Sequence, residues 1–93
     1  MPYIKKERRE PLWRAHDKYS TYPVLEVALI ENPGELNFAI TKMVTYYIQK
    51  KGLSYAVLNE VLGVLTAVTF ELYRRLAVPY ENAKMAENGD VYS

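Results

Sequence analysis

The chain lacks cysteine entirely and has a single histidine among its 93 residues. The absence of cysteine excludes a disulfide framework, a thiolate zinc site, an iron–sulfur cluster and a cysteine nucleophile. The four glycines are isolated from one another, which excludes the glycine-rich loops that bind phosphates and dinucleotides. We therefore expect no metal site and no cofactor.

An excess of charge of one sign is also lacking. Twelve Lys and Arg side chains stand against eleven Asp and Glu, for a formal net charge of +1, whereas proteins that bind nucleic acid are strongly basic. The charges nevertheless form blocks, with +3 over residues 1–18, −2 over 19–49, +2 over 50–75 and −2 over 76–93. Such blocks allow contacts between copies of the chain, although a solvated surface is their commoner explanation.

Long hydrophobic runs are absent as well. The most apolar stretch, residues 61–70, has ten residues, about half of the roughly 20 that a membrane span requires. No apolar segment typical of a secretory signal follows Met1. We therefore expect a cytoplasmic protein without a membrane partner, and we expect residues 61–70 to belong to a buried helix.

The residues that are present indicate one small globular domain over residues 1–93, because 49% are hydrophobic and 25% are charged. Proline and glycine positions predict short helices at about residues 11–19 and 24–30, with a turn at 20–23 between them. Two long helices are predicted at about 34–51 and 55–78, and a last short helix at 80–87 precedes a tail at 88–93. The predicted fold class is all-α, a small helical bundle built on a long helical hairpin, with the segment 1–32 the least defined.

The two long helices have clear start and stop signals. Asn32 suits the N-cap of the first, with Glu35 at the position of a capping box, and Gly52 suits its C-terminal end. Ser54 suits the N-cap of the second helix, and Pro79 is expected to end it.

The second long helix is apolar over more of its surface than one small partner helix usually covers. Two stripes run along it, one of leucines (Leu58, Leu62, Leu65, Leu72, Leu76, with Thr69 between) and one of valines (Val57, Val61, Val64, Val68). This pattern predicts a central position in a bundle or at an interface between subunits. The nine tyrosines favour the interface, since tyrosine is enriched there. We therefore expect a homo-oligomer.

Catalysis and nucleic-acid recognition have little support in the sequence. His16 has only Ser20 at helical spacing, and a nucleophile, base and orienting group are all needed. We therefore expect no enzyme. The two long helices resemble a helix-turn-helix only superficially. A recognition helix presents polar and basic side chains to the bases of DNA near its start, whereas residues 55–60 contain one amide side chain, Asn59, one acidic side chain and no basic side chain. A plain helical hairpin explains them better.

One polar cluster surrounds the end of the second long helix. Glu71 precedes Arg74 and Arg75 by three and four residues, so ordinary ion pairs are the simpler explanation. Two adjacent arginines cannot both pair well with one acid, however, which leaves one for a phosphate or carboxylate. Neighbouring tyrosines would supply a ring that stacks on the base of a nucleotide and a hydroxyl group that forms a hydrogen bond with it. The predicted ligand-binding residues are Arg74, Arg75, Tyr73, Tyr80 and Asn59.

Several sequence words occur in a specific order: GELNFAIT at residues 34–41, ELYRR at 71–75, PYE at 79–81 and NGDVY at 88–92, together with Tyr55, Asn59 and Gly63. In these words the chain resembles a family of small uncharacterised prokaryotic and phage proteins over about residues 33–92. The family has no assigned activity, so the resemblance implies no functional residue. A phage connection implies one analogy. Small helical phage oligomers sequester nucleotide immune signals of the host, and this chain has their general build but none of their motifs.

Three functions from different classes are therefore open. The first is a non-enzymatic homo-oligomer that binds a small anionic, nucleotide-like ligand at a subunit interface, in the host cytoplasm for a phage protein. The second is a protein-interaction or assembly module, in which the same residues anchor the interface. The third and weakest is a nucleic-acid binder.

Overall fold

A computed structural model describes residues 2–15 and 23–92. The described residues are mostly helical. The chain consists of two compact units, residues 1–53 and 54–93. The first unit contains helix α1 (Lys6–Leu12), strands β1 (Trp13–Ala15) and β2 (Pro23–Leu25), a 3₁₀ turn (Val27–Leu29) and helix α2 (Pro33–Lys51). The second contains α3 (Tyr55–Leu72), a π-helical turn (Tyr73–Ala77) and α4 (Val78–Asn88).

The prediction of an all-α chain is correct only coarsely, because a small antiparallel strand pair joins β1 to β2. Trp13 pairs with Leu25 and Arg14 with Val24, and the backbone N–H of Glu26 donates to the carbonyl of Leu12 at 2.9 Å. Of the helix predicted at 11–19, only residues 11 and 12 are helical among those described, and the segment predicted as a helix at 24–30 contains only the 3₁₀ turn Val27–Leu29. Residues 13–15 and 23–25 form strands instead. Pairing across the chain satisfies these backbone groups in place of helical bonds. The turn predicted at 20–23 lies, except for its proline, outside the described residues.

Helix α1 begins earlier than the sequence predicts and contains Pro11 within its last turn. A proline is tolerated there because only one helical hydrogen bond is lost so near the end. The backbone N–H of Trp13 donates to the carbonyl of Arg9 and closes the helix.

Helix α2 confirms the predicted helix 34–51 and both of its end signals. The side-chain oxygen of Asn32 accepts the backbone N–H of Glu35 at 2.9 Å, which caps the first turn. At the other end Gly52 has φ 93°, a left-handed conformation that glycine adopts without steric cost, and its N–H donates to the carbonyl of Ile48. The carboxylate of Glu35 does not complete the capping box at Asn32. It accepts the N–H of Glu31 instead.

The second long helix begins at the predicted residue but does not end at Pro79. Ser54 caps it through the N–H of Val57 at 3.2 Å, and the helix then continues from Tyr55 to Asn88. Proline has no N–H, so an α-helix would leave the carbonyl four residues before it unbonded. The π turn absorbs this defect: the N–H of Val78 donates to the carbonyl of Tyr73, five residues back. The separate helix predicted at 80–87 is therefore the end of this one, which stops at Gly89 as expected.

The expectation of a buried helix at residues 61–70 is wrong for the described part of the chain. Val61 is buried, whereas the side chains of Leu62, Val64, Val68 and Phe70 are about half exposed or more. By length and composition the helix Tyr55–Asn88 could cross a membrane, with a mean hydropathy of 1.4 and 6% of its most apolar window buried. Acidic side chains at positions 60 and 71 bracket its charge-free run.

The tail after Gly89 carries the apolar side chains of Val91 and Tyr92, so from the sequence alone it is expected to dock on the bundle or on a neighbour. In the described chain Val91 and Tyr92 are instead almost fully exposed. The N–H of Tyr92 donates to a side-chain oxygen of Asp90 at 2.9 Å, a local turn that orders the backbone without burying either side chain. Docking on the same chain is therefore wrong, and docking on a neighbour stays a prediction.

Replacement of Leu12 by alanine tests the core of the first unit. The Leu12 side chain is fully buried at 0% exposure, so Leu12→Ala should lower the free energy of unfolding by about 2–5 kcal/mol in urea titrations followed by circular dichroism. Leu53→Ala is the matched control, since Leu53 is 76% exposed and should change stability by less than about 0.5 kcal/mol. Equal effects of the two substitutions would contradict this assignment of the core.

Candidate functional site

A two-pronged ion pair holds α1 against the start of α2. The guanidinium of Arg8 donates from Nε to Oε2 of Glu35 at 2.8 Å and from Nη2 to Oε1 at 2.9 Å. The same Nη2 reaches the carbonyl of Leu29 at 3.0 Å. One side chain thus joins α1, the 3₁₀ turn and α2, with the fixed geometry that a guanidinium fork imposes on a carboxylate.

The carboxylate of Glu35 is buried, and both of its oxygens accept hydrogen bonds. Its side chain is 5% exposed, and it accepts the backbone N–H of Glu31 at 3.0 Å in addition to the two bonds from Arg8. Hydrogen bonding from Arg8, helped by the Glu31 N–H and opposed by burial, lowers the pKa of Glu35 from 4.5 to about 2. The same hydrogen bond raises the pKa of Arg8. The pair therefore stays charged across the physiological range.

The surfaces of α1 and α2 that this ion pair fixes form the walls of an open cleft of about 500 Å³. This volume lies within the range of small-molecule sites. The N-terminal segment supplies Pro2 and Tyr3, and the wall from α1 supplies Lys6, Arg9 and Glu10. Strand β1 and α2 supply Trp13, Phe38, Thr41 and Lys42.

Aromatic rings and a cation lie close together in the cleft. The Trp13 ring meets the Tyr46 ring edge to face, with centroids 6.0 Å apart, which fixes the plane of the indole. The ammonium of Lys42 lies 5.5 Å from the Trp13 ring centroid, a cation–π distance. Tyr3 is 77% exposed, so its ring can meet a ligand without leaving a packed core.

The cleft carries three cations, Lys6, Arg9 and Lys42, and one acid, Glu10. Arg9 donates from Nε to the carbonyl of Ile4 at 2.9 Å, which positions the N-terminal segment beside α1. The hydrogen bonds among the described residues do not engage the two Nη groups of Arg9, so these can face an anion. Cations beside exposed rings suit a ligand that joins a phosphate or carboxylate to a planar ring.

The arginines that the sequence singled out lie in the π turn of the second unit. Arg74 donates from Nη2 to Oε1 of Glu71 at 2.6 Å, so the predicted ion pair is confirmed for this arginine. Arg75 has no acidic partner among the described residues, which agrees with the expectation that one arginine would be left over. Arg75 lines an apolar groove of about 600 Å³ with Val64, Ala67, Val68, Glu71, Leu72 and Leu76.

The other predicted residues do not converge on Arg75 within one chain. Tyr80 lines a different depression, near Gly89 and Tyr92, and has the ammonium of Lys84 over its ring at 5.7 Å. Tyr73 is exposed. Asn59 precedes it by fourteen residues on the same helix, or roughly 20 Å along the axis. A ligand site built from these five residues would require more than one copy of the chain and stays a prediction.

Sequence reasoning missed the residues that line the cleft. The available signal was the basic block at residues 1–18, which by sequence alone indicated a solvated surface or contacts between copies of the chain. Trp13 and Lys42 are 29 positions apart, and no local spacing brings such residues together. His16 and Ser20, considered for catalysis, lie outside the described residues. Within residues 2–15 and 23–92 no cluster of potential metal ligands occurs.

Comparison with protein families gives a match that extends over nearly the whole chain. The profile of a domain of unknown function, DUF6899, matches residues 1–91. The chain belongs to the DUF6899 family. This agrees with the expectation of an uncharacterised family and extends it to the first 32 residues. Comparison of this DUF6899 chain with curated protein sequences and with solved structures gives no significant match.

The Arg8–Glu35 pair predicts how stability depends on pH. Because the pKa of Glu35 is about 2 in the fold and 4.5 as a free group, its contribution is complete above about pH 4.5 and is lost as pH falls toward 2. The urea midpoint of the wild type should therefore drop between pH 6 and pH 3, and Glu35→Gln should remove part of this drop. Glu81→Gln, at an exposed position, is the control and should keep the full drop. An identical pH dependence for all three proteins would contradict the assignment.

Proposed function

We propose that the protein is a non-enzymatic, homo-oligomeric binding protein that takes a small anionic, nucleotide-like ligand in the cleft between α1 and α2. The observation that carries this proposal is the joint presence of three cations and two accessible aromatic rings around one cleft of about 500 Å³. The proposal keeps the ligand class inferred from the sequence and moves the site to another part of the chain.

The two halves of a nucleotide match two different parts of the cleft. A phosphate would accept hydrogen bonds from Lys6 and Arg9 on one wall, where ionised donors make the stronger bonds. A base would stack on the exposed ring of Tyr3 or on Trp13, since stacking is worth about 1–3 kcal/mol per base in single-stranded nucleic acid sites. The ammonium of Lys42 lies over the indole ring of Trp13 at 5.5 Å, so it would lie between the phosphate and the base of a bound nucleotide.

Binding without turnover accords with sequestration of the ligand in the cytoplasm, which is the host cytoplasm if the protein is encoded by a phage. In this proposal the copies associate through the long helix. Polymeric nucleic acid is a weaker ligand class because the net charge of +1 gives little attraction to a phosphate backbone.

The second candidate function is an assembly or protein-interaction module. It is favoured by one observation, the half-exposed apolar side chains that follow one another along α3 and the π turn. Contiguous apolar surface of this kind is uncommon on soluble monomers and marks interaction sites. The two candidates share self-association and differ in whether the cleft binds a ligand.

Isothermal titration calorimetry against mono-, di- and cyclic nucleotides and ADP-ribose derivatives tests the first candidate. Wild type should bind at least one of them with micromolar or tighter affinity. Lys42→Gln should weaken binding at least about tenfold because a charge-assisted contact is lost. Tyr3→Ala should weaken nucleotide binding but leave inorganic pyrophosphate unchanged, since pyrophosphate has no ring to stack.

Arg74→Ala and Arg75→Ala are matched controls, because both remove a cation from the second unit. Unchanged affinity in these variants supports the cleft. If Arg74→Ala or Arg75→Ala lowers the affinity and Lys42→Gln does not, the ligand binds instead at the residues predicted from sequence. A panel with no binding ligand would favour the interaction module.

A further inference from the structure

The groove along α3 and the π turn has an apolar floor and no cover among the described residues. Its floor consists of Val64, Ala67, Val68, Leu72 and Leu76. Val64 is 61% exposed and Leu76 65%, at the two ends of a strip about 18 Å long on a helix that rises 1.5 Å per residue. The strip faces solvent in the isolated chain, and burial would be favourable at about 25 cal/mol per Å².

The hydroxyl groups beside the strip do not make it polar. Thr66 donates to the carbonyl of Leu62 at 2.8 Å, and Thr69 donates to that of Leu65 at 2.9 Å. Both hydroxyl protons are used within the helix, so neither needs water or a partner. A partner that covers the strip therefore meets an apolar surface and has only the charged rim to match.

The rim of the groove carries one acid and one base, Glu71 and Arg75, a single helical turn apart. Oε1 of Glu71 accepts the hydrogen bond from Arg74, which leaves Oε2 available to a second donor. Arg75 has no acidic partner among residues 2–15 and 23–92. We propose that a second copy of this chain covers the groove, with the two helices antiparallel about a two-fold axis near Tyr73. The axis then sets Glu71 of each copy beside Arg75 of the other and brings Leu72 and Leu76 of both copies together.

The charges decide among the possible occupants. Two parallel copies in register would set Glu71 level with Glu71 and Arg75 level with Arg75, so that neither rim charge is matched with its opposite. A bilayer would take both rim charges out of water, and its headgroup phosphates could pair with Arg75 but would repel Glu71. The antiparallel pair forms the contact between Glu71 and Arg75 twice, because a two-fold axis repeats each contact. A single chain thus carries both halves of the match.

This inference rests on the self-association in the proposed function and adds its geometry. Sedimentation velocity from 1 to 100 µM protein is the experiment, and wild type should form dimers. Val68→Asp should abolish the dimer because it buries an unpaired charge in the groove. Phe70→Asp is the matched control: Phe70 is 68% exposed but does not line the groove, so the dimer should persist. Circular dichroism checks that each variant keeps its helix content.

A charge exchange tests the antiparallel arrangement. Arg75→Glu should raise the dimer dissociation constant at least about tenfold, because each contact then joins two acids. The double variant Glu71→Lys with Arg75→Glu should restore dimerisation, since the opposite charges again meet across the axis. A dimer that is insensitive to these changes would overturn the geometry and leave self-association standing. Wild type that is monomeric at 100 µM would overturn both, as would monomers that partition into phosphatidylcholine vesicles. The calorimetric panel decides ligand binding separately.

Discussion

The ion pair between Arg8 and Glu35 is the constraint on which the first unit depends. It spans 27 positions in sequence and joins α1, the 3₁₀ turn and α2 through one guanidinium. A buried carboxylate is costly unless it is paired and hydrogen-bonded, and here every bond is supplied by this fork and by the N–H of Glu31. The cleft walls belong to α1 and α2, so the shape of the cleft follows from the same pair.

The second unit depends on a different device, the π turn before Pro79. An uninterrupted α-helix would lose a hydrogen bond and meet a steric clash at this proline. One wider turn removes both problems and keeps the helix continuous to Asn88. The apolar groove, which extends from Val64 to Leu76, reaches into this turn, and Arg75 lies within the turn itself. A proline that looks like a stop signal therefore helps to form a surface.

The two units distribute their charged side chains differently. In the cleft three cations stand against one acid, an imbalance that suits an anionic ligand. On the rim of the groove one acid stands against one base, a balance that suits a second copy of the same surface. The net charge of +1 conceals both arrangements, because it adds the unbalanced and the balanced regions together.

The sequence by itself determined the helix ends whose signals are local. Asn32, Ser54, Gly52 and Gly89 act on backbone groups within three or four residues of themselves, so their roles follow from spacing alone. Local pattern also indicated the apolar stripes and the Glu71–Arg74 pair. Only the tertiary structure decided the strand pair, the Arg8–Glu35 fork and the meeting of Trp13 with Lys42. These contacts join residues that are 8 to 29 positions apart, and no local propensity distinguishes such partners from the other charged or aromatic residues in the chain.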